Sequence, residues 1–277
     1  MSLEGQPTAI PEGEYADIGE GRRIHYHAAG SGTPVVFIHG SGPGASGYSN
    51  FQGNFPFFAE RGFRVIVPDS LGFGLSSKPD VDYELDYVLA GLKALLQSLG
   101  VERCAVVGNS HGGALAIQLA LDEPQLVSKL ILMAPGGLEV RERYLEQRGI
   151  RSMFKAVSAP EGITPESLRK VLTLQVFDSQ LITEALVTQR WQIAQLQPKR
   201  LFTTLRVPHL APRLAELTCP VLGLWGNDDQ FCPVSGAAIL SEQCRDSRVV
   251  RLSRCGHWVM VERAPLFNQL CTEFLRE

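Results

Sequence analysis

Short runs of β-branched and aliphatic residues alternate with longer segments of helical periodicity along much of this chain, and this alternation limits its fold more than any other feature. The predicted strands are residues 24–28, 35–39, 64–68, 104–107, 129–134, 221–225 and 248–252. The predicted helices include residues 85–99, 112–121 and 264–275. Strands that are separated by helices usually pair in parallel. We therefore predict an α/β fold with a mostly parallel sheet flanked by helices.

One long segment interrupts this alternation. Residues 138–212 carry helical patterns rich in Arg, Gln and Glu, without a convincing strand. The segment begins after the Pro-Gly-Gly of residues 135–137 and ends at Pro212. We therefore predict a core domain formed by residues 1–137 and 213–277, with a helical cap inserted between the two parts.

The composition argues against several classes of partner. The chain has 277 residues, a net charge of −3 and a pI near 6.1, so it has no basic excess that would favour nucleic acid. Its apolar stretches, such as residues 34–38 and 130–134, are far shorter than the roughly 20 residues that span a bilayer. Residues 1–18 lack the basic start and apolar core of a secretion signal. We expect a soluble, cytoplasmic protein without nucleic-acid or membrane partners.

The cysteines of this chain are scattered. No Cys-x-x-Cys pair occurs, and no histidines lie at the spacing of a metal site. We therefore predict reduced thiols rather than a disulfide framework, and we expect neither a metal nor an organic cofactor. The six cysteines are Cys104, Cys219, Cys232, Cys244, Cys255 and Cys271.

The segment Gly108-Asn109-Ser110-His111-Gly112 matches the pattern G-x-S-x-G between a predicted strand and a predicted helix. A chain that turns this sharply needs glycines on either side of the serine, since larger side chains would collide. The turn exposes the Ser110 hydroxyl above a helix N-terminus, which favours developing negative charge. This pattern predicts a nucleophilic serine, although an ordinary turn with a serine N-cap would have the same residues.

A serine nucleophile needs a base and an acid that orients the base. His257 follows the last predicted strand, and it completes the chain order serine, acid, histidine that this motif has in such folds. The acid should end the preceding strand, where both Asp228 and Asp229 lie. The residues alone leave this choice open, because either carboxylate could instead cap a solvated turn. The other histidines are His25, His27, His39, His111 and His209.

An oxyanion formed during attack by the serine needs two preorganised donors. The backbone N–H of His111, directly after the nucleophile, is predicted to be one donor. We assign the second to Ser41 in the glycine-rich loop of residues 39–45, because glycines let the backbone approach a ligand closely. A phosphate-binding loop is disfavoured, since no Gly-Lys-Ser/Thr follows.

Taken together, these motifs resemble the meta-cleavage product hydrolases, carbon–carbon bond hydrolases of the α/β-hydrolase superfamily that act in bacterial aromatic catabolism. The resemblance runs from about residue 20 to the C-terminus. It implies a substrate of the 2-hydroxy-6-oxo-dienoate type, cleaved into 2-hydroxypentadienoate and a carboxylic acid. The motifs that carry it are residues 39–45, 49–51, 108–113 and 132–137, the pair Arg190-Trp191, and residues 255–258.

The resemblance also assigns roles to individual residues. It implies the catalytic triad Ser110, Asp229 and His257, with the second aspartate of the Asp-Asp pair as the acid. It implies a homodimer or larger homo-oligomer. One departure is His111, at a position that is usually apolar in this family, whose ring is expected to add a titratable group near the site. The substrate-binding residues that it implies are Asn50, Asn109, Arg190 and Trp258 around the dienoate end, and Phe177 in the lid part of the pocket.

Helical spacing supports a binding role for Arg190 independently. In a helix over residues 184–195, Arg190 shares a stripe with apolar residues such as Leu186 and Val187. A guanidinium on an apolar face suits a planar anion such as a carboxylate. The alternative is an arginine that reaches solvent or pairs with a glutamate of the cap.

We expect a two-stage reaction in which the dienol is ketonised and the C6 carbonyl is then attacked. Two other functions use the same features. A carboxylesterase or lactonase would need the same triad. A ligand-sensing protein could keep the fold without turnover.

Overall fold

The computed structural model describes residues 10–277, which contain one eight-stranded sheet. The spatial order of the strands is β1-β2-β4-β3-β5-β6-β7-β8. The strands are β1 (Glu14–Asp17), β2 (Arg23–Ala29), β3 (Thr33–Ile38), β4 (Phe63–Pro68), β5 (Cys104–Asn109), β6 (Val127–Met133), β7 (Val221–Gly226) and β8 (Ser247–Leu252). All seven predicted strands are present.

The sheet is parallel from β4 to β8 and antiparallel at one edge. β2 pairs antiparallel with both β1 and β4, whereas the central strand β5 runs parallel to β3 and β6. The mostly parallel sheet is therefore confirmed. The strand β1 was not predicted from the sequence; it has four residues, and within residues 10–277 it pairs with β2 alone.

Helices cover both faces of the sheet. Side chains alternate along the strands between two buried clusters: Val36 and Ile38 lie in one, Val35 and Phe37 in the other. This period of two places one apolar core on each face. The helices are α1 (Gly47–Phe51), α2 (Phe55–Ala59), α3 (Leu85–Ser98), α4 (His111–Asp122), α5 (Arg141–Leu145), α6 (Arg148–Val157), α7 (Pro165–Thr173), α8 (Glu184–Ala194), α9 (Lys199–Thr204), α10 (Ser235–Gln243), α11 (Val259–Glu262) and α12 (Ala264–Arg276).

Helices α5 to α9 lie in the segment that interrupts the strand rhythm, together with a 3-10 turn at Ser179–Leu181. A second 3-10 turn, Ala211–Glu216, precedes β7. The division into a core and a cap at residues 138 and 212 stays a prediction. Within residues 10–277, no helix combines the length and apolar character needed to cross a membrane.

The parallel pairing decides where functional residues meet. β3, β5, β6, β7 and β8 run in the same direction, so their carboxyl ends share one edge of the sheet. The loops after these strands carry the predicted chemistry, and ligand sites of open α/β sheets lie at this edge.

Candidate active site

Ser110 occupies the sharp turn between β5 and α4. Its backbone has φ 57° and ψ −119°, a strained conformation for a residue with a side chain. Its carbonyl oxygen accepts three hydrogen bonds of 2.9 to 3.1 Å, from the N–H groups of Gly113, Ala114 and Gly136. A Cβ atom added at Gly112 would lie 2.2 Å from the carbonyl oxygen of Ile38, so this position requires glycine. The pattern of glycines around Ser110 thus reflects close packing against the neighbouring strand.

His257 and Asp229 form a buried pair at the same edge. The Nδ1 atom of His257 lies 2.7 Å from Oδ2 of Asp229. The other carboxylate oxygen, Oδ1, accepts hydrogen bonds from the N–H groups of Phe231 at 2.7 Å and Cys232 at 2.9 Å. This arrangement holds the proton on Nδ1 of the imidazole and leaves Nε2 available as a base.

Asp228, the other aspartate of the pair, serves the loop instead. Its Oδ2 accepts from the N–H of Cys255 at 3.3 Å. The structure therefore brings Asp229, and not Asp228, to the imidazole. Both aspartates follow β7, and the direction of each side chain is decided by which backbone groups surround it.

Ser110 and His257 line one cavity together with Ser41. Ser41 belongs to the loop after β3, in which the His39 ring is fixed by two contacts: Nδ1 lies 2.7 Å from the carbonyl oxygen of Gly40, and Nε2 accepts from the N–H of Ser70 at 3.0 Å. Burial lowers the pKa of His39. The neutral His39 ring, with two hydrogen bonds, thus ties the loop that contains Ser41 to Ser70, which follows β4.

Arg190 extends from α8 into this cavity. Its side chain is only 2% exposed and lies over the ring of Trp258, with 4.6 Å from the guanidinium carbon to the ring centroid. Nη2 donates to Oδ1 of Asn50 at 2.6 Å, while Nε has no partner in the part of the chain that the structure describes. No carboxylate within residues 10–277 forms an ion pair with it. Burial lowers the pKa of Arg190 to about 9.

Two asparagines connect Arg190 to the serine turn. Nδ2 of Asn50 lies 3.4 Å from Oδ1 of Asn109, and Nδ2 of Asn109 donates to the carbonyl of Met133 at 3.2 Å. Both line the cavity. Helix α8 is brought there by close contact at Gly44, where an added Cβ would lie 2.0 Å from the Arg190 carbonyl oxygen.

Several wall residues were not identified from the sequence. Ile150, Met153 and Phe231 form an apolar part of the wall, and Gln175 adds a buried amide. Burial raises the pKa of the Cys232 thiol well above the ordinary value. Of these residues, only Phe231 and Cys232 could have been suggested by the sequence, because they lie two and three positions after the proposed acid Asp229.

Two expectations require correction. Phe177 does not lie in the cavity wall: its side chain is 47% exposed and its ring lies beside the guanidinium of Arg254. The His111 ring does not titrate near neutral pH, because burial and the neighbouring His39 lower its pKa to about 3. The ring lies 6.3 Å from that of Phe73, and its two nitrogens have no partner.

Comparison with known proteins identifies relatives over most of the chain. The profile of the alpha/beta hydrolase family matches residues 35–270. A 2-hydroxy-6-oxo-6-phenylhexa-2,4-dienoate hydrolase of Comamonas testosteroni is 39% identical over 264 residues, covering 92% of this chain and 91% of its own. A 2-hydroxy-6-oxononadienedioate/2-hydroxy-6-oxononatrienedioate hydrolase of that species is 37% identical, with 91% of each chain covered. A solved meta-cleavage product hydrolase from Pseudomonas fluorescens IP01 has a TM-score of 0.84 and 29% identity, covering 95% of this chain and 97% of its own.

Proposed function

The chain belongs to the alpha/beta hydrolase family, and from this membership we propose that it is a meta-cleavage product hydrolase. It cleaves a carbon–carbon bond of 2-hydroxy-6-oxo-dienoates and releases 2-hydroxypentadienoate and a carboxylic acid. The two relatives from Comamonas testosteroni carry the names of hydrolases of such substrates. The reaction requires a nucleophile, a base and a site for a carboxylate, and residues suited to each line one cavity.

The observation that supports this function most directly is the isolated charge of Arg190. A buried guanidinium without an acidic partner costs several kcal/mol, which an arriving carboxylate would offset. A substrate with a carboxylate at one end and a carbonyl further along would pair with Arg190 and would also place an electrophilic carbon at Ser110. A simple ester has no group for Arg190.

The proposed mechanism has two stages. Arg190 and the two asparagines hold the carboxylate and the C2 oxygen while the dienol is ketonised, with a proton lost from O2 and one added at C5. Ser110 or a water molecule then attacks the C6 carbonyl, whose oxygen lies between the N–H groups of Ser41 and His111. The C5–C6 bond breaks with its electron pair moving to C5 and on to the C2 carbonyl.

His257 moves the protons in this scheme, and Asp229 stabilises the imidazolium that forms. With His257 as its base, Ser110 would form an acyl-enzyme, which water then hydrolyses to the carboxylic acid. The low pKa of His111 leaves its ring uncharged, so its contribution to the oxyanion is through the backbone N–H.

Replacement of Ser110 by alanine tests the nucleophile. We expect the Ser110→Ala variant to bind 2-hydroxy-6-oxo-6-phenylhexa-2,4-dienoate but to lose at least about 10³-fold in turnover. Loss of the visible absorbance of the dienoate measures cleavage, and equilibrium titration measures binding. Unchanged turnover would refute the assignment of Ser110.

Replacement of Arg190 by glutamine separates this function from the alternatives. The Arg190→Gln variant should lose activity on the dienoate much more than on an uncharged p-nitrophenyl ester. Equal losses on both compounds would favour a carboxylesterase or lactonase. A wild-type protein that hydrolyses neither compound would favour a ligand-sensing role.

We also propose that the enzyme acts in the cytoplasm as a homodimer or larger homo-oligomer. All six cysteines are free and buried, which suits a reducing compartment. Size-exclusion chromatography with light scattering tests the oligomeric state, and a monomeric mass at micromolar concentration would contradict it.

A further inference from the structure

Gln175 has no part in the mechanism above, yet its side chain lines the same cavity as Ser110 and His257. The side chain is 5% exposed, and its Oε1 atom is buried without a hydrogen-bond partner among residues 10–277. A buried amide oxygen without a partner costs about 1–3 kcal/mol. A bound molecule that hydrogen-bonds this amide would remove that cost.

The position of Gln175 indicates which part of a substrate it would meet. It follows α7, and its backbone carbonyl accepts the N–H of Trp258 at 3.0 Å. The Trp258 ring in turn lies under Arg190. A Cβ atom added at Gly42 would lie 3.9 Å from Nε2 of Gln175. The backbone of Gln175 is thus tied to Trp258, which lies under Arg190, and its side-chain amide lies beside the loop that contains Ser41.

We consider a 2-hydroxy-6-oxo-dienoate whose carboxylate lies at Arg190 and whose C6 carbonyl lies at Ser110. The C2 oxygen of this substrate is the polar group next to the carboxylate. It is a hydroxyl in the dienol and a carbonyl after ketonisation. A glutamine amide can accept a hydrogen bond from the enol hydroxyl with Oε1, and it can donate one to the keto carbonyl with Nε2. The amide oxygens of Asn50 and Asn109 are already engaged, by Arg190 and by Asn50 respectively.

We propose that the side-chain amide of Gln175 hydrogen-bonds the C2 oxygen of the substrate in both its enol and keto forms. This inference rests on the proposed function. When the C5–C6 bond breaks, the electron pair is delocalised onto the C2 oxygen, and the Nε2 donor stabilises the negative charge that develops there. Gln175 is then a substrate-contacting residue that acts on cleavage as well as on binding.

The test is the substitution Gln175→Met, which keeps the length of the side chain and removes both polar atoms. We expect kcat/KM for 2-hydroxy-6-oxo-6-phenylhexa-2,4-dienoate to fall about tenfold, as for loss of one hydrogen bond to a developing charge. Hydrolysis of p-nitrophenyl acetate, which has no C2 hydroxyl or carboxylate, should be unchanged. Gln180→Met, at an exposed position of the same cap segment, is the matched control and should behave as wild type on both compounds.

The outcomes separate the inference from the function on which it rests. Equal losses of Gln175→Met on the dienoate and on the ester would mean that Gln175 only supports the cavity wall, and would overturn the inference. Full activity of this variant on the dienoate would overturn it as well. If the wild-type enzyme does not cleave the dienoate, the proposed function itself fails, and this is seen before any variant is made.

Discussion

Two buried charges of the cavity are held in opposite ways. The Asp229 carboxylate is satisfied within the protein, by two backbone N–H groups and the imidazole of His257. Arg190 has Asn50 as its hydrogen-bond acceptor and an aromatic ring beneath it. A charge that the fold already satisfies orients a neighbouring group, whereas a charge left partly unsatisfied is available to a ligand.

The pH dependence of carboxylate binding follows from Arg190. Burial lowers its pKa to about 9, so the guanidinium is a cation below this pH and loses its charge above it. We expect the inhibition constant of hexa-2,4-dienoate, which has a carboxylate but no titratable hydroxyl, to rise about tenfold between pH 8 and pH 10. Competition assays at constant ionic strength measure it.

The Arg190→Gln variant is the control for this experiment. It should bind hexa-2,4-dienoate weakly and equally at each pH, because the titrating group is absent. An inhibition constant that is the same for the wild-type enzyme and for Arg190→Gln at every pH would show that the carboxylate does not meet Arg190.

At the scale of elements, the segment after α7 is attached to the loop that carries His257. The Glu262 carboxylate of α11 accepts from the N–H groups of Phe177 at 2.7 Å and Asp178 at 3.0 Å, and also from the N–H of Gly256. One side chain thus connects the segment after α7 to the loop that carries His257.

Removal of this carboxylate should loosen both segments together. In the Glu262→Ala variant, we expect faster amide hydrogen exchange at residues 177–178 and at Gly256, since their acceptor is lost. Glu166→Ala, which removes an exposed ion pair with Lys170 on α7, is the control and should leave both segments unchanged. Faster exchange in only one segment, or in neither, would contradict a connecting role.

At the scale of the whole molecule, Asp69 joins the antiparallel edge of the sheet to the loops near the cavity. Its carboxylate contacts Nδ1 of His25 on β2 at 2.8 Å and accepts from the N–H groups of Gly47 at 2.7 Å and Leu75 at 2.8 Å. Burial by itself would raise the pKa of Asp69, but the hydrogen bond and charge of His25, with further contributions from His39 and Leu75, lower it overall. The ionised form therefore stabilises the fold.

Substitution of Asp69 should destabilise the whole domain. We expect Asp69→Asn to lower the free energy of unfolding by about 3 kcal/mol at pH 7, since it leaves buried donors without a charged acceptor. The stabilisation by the ionised Asp69 carboxylate is fully present above the pKa of an aspartate in the unfolded chain, about 4. It is lost as the pH falls through the lower pKa that Asp69 has in the folded protein. The difference between wild type and variant in urea unfolding should therefore shrink below pH 4. A difference that is constant with pH would contradict this account.

The sequence by itself determined the alternation of strands and helices, the serine turn and the candidate histidine. These features depend on local physics: the apolar period of strands and helices, and the glycines that a sharp turn requires. Sequence patterns could not identify β1, because four residues at an edge are stabilised by pairing with β2 rather than by their own pattern.

Only the tertiary structure decided how side chains from distant segments meet. It directed Gln175 inward and Phe177 outward, and it left Arg190 without an acidic partner among residues 10–277. It also brought Asp229 to His257, the choice that the family resemblance implied and that the residues alone left open. Each outcome depends on packing between segments distant in the chain. The physical reason is that hydrogen bonding and desolvation act on the neighbours that a side chain acquires in the folded protein, and residue order alone does not specify those neighbours.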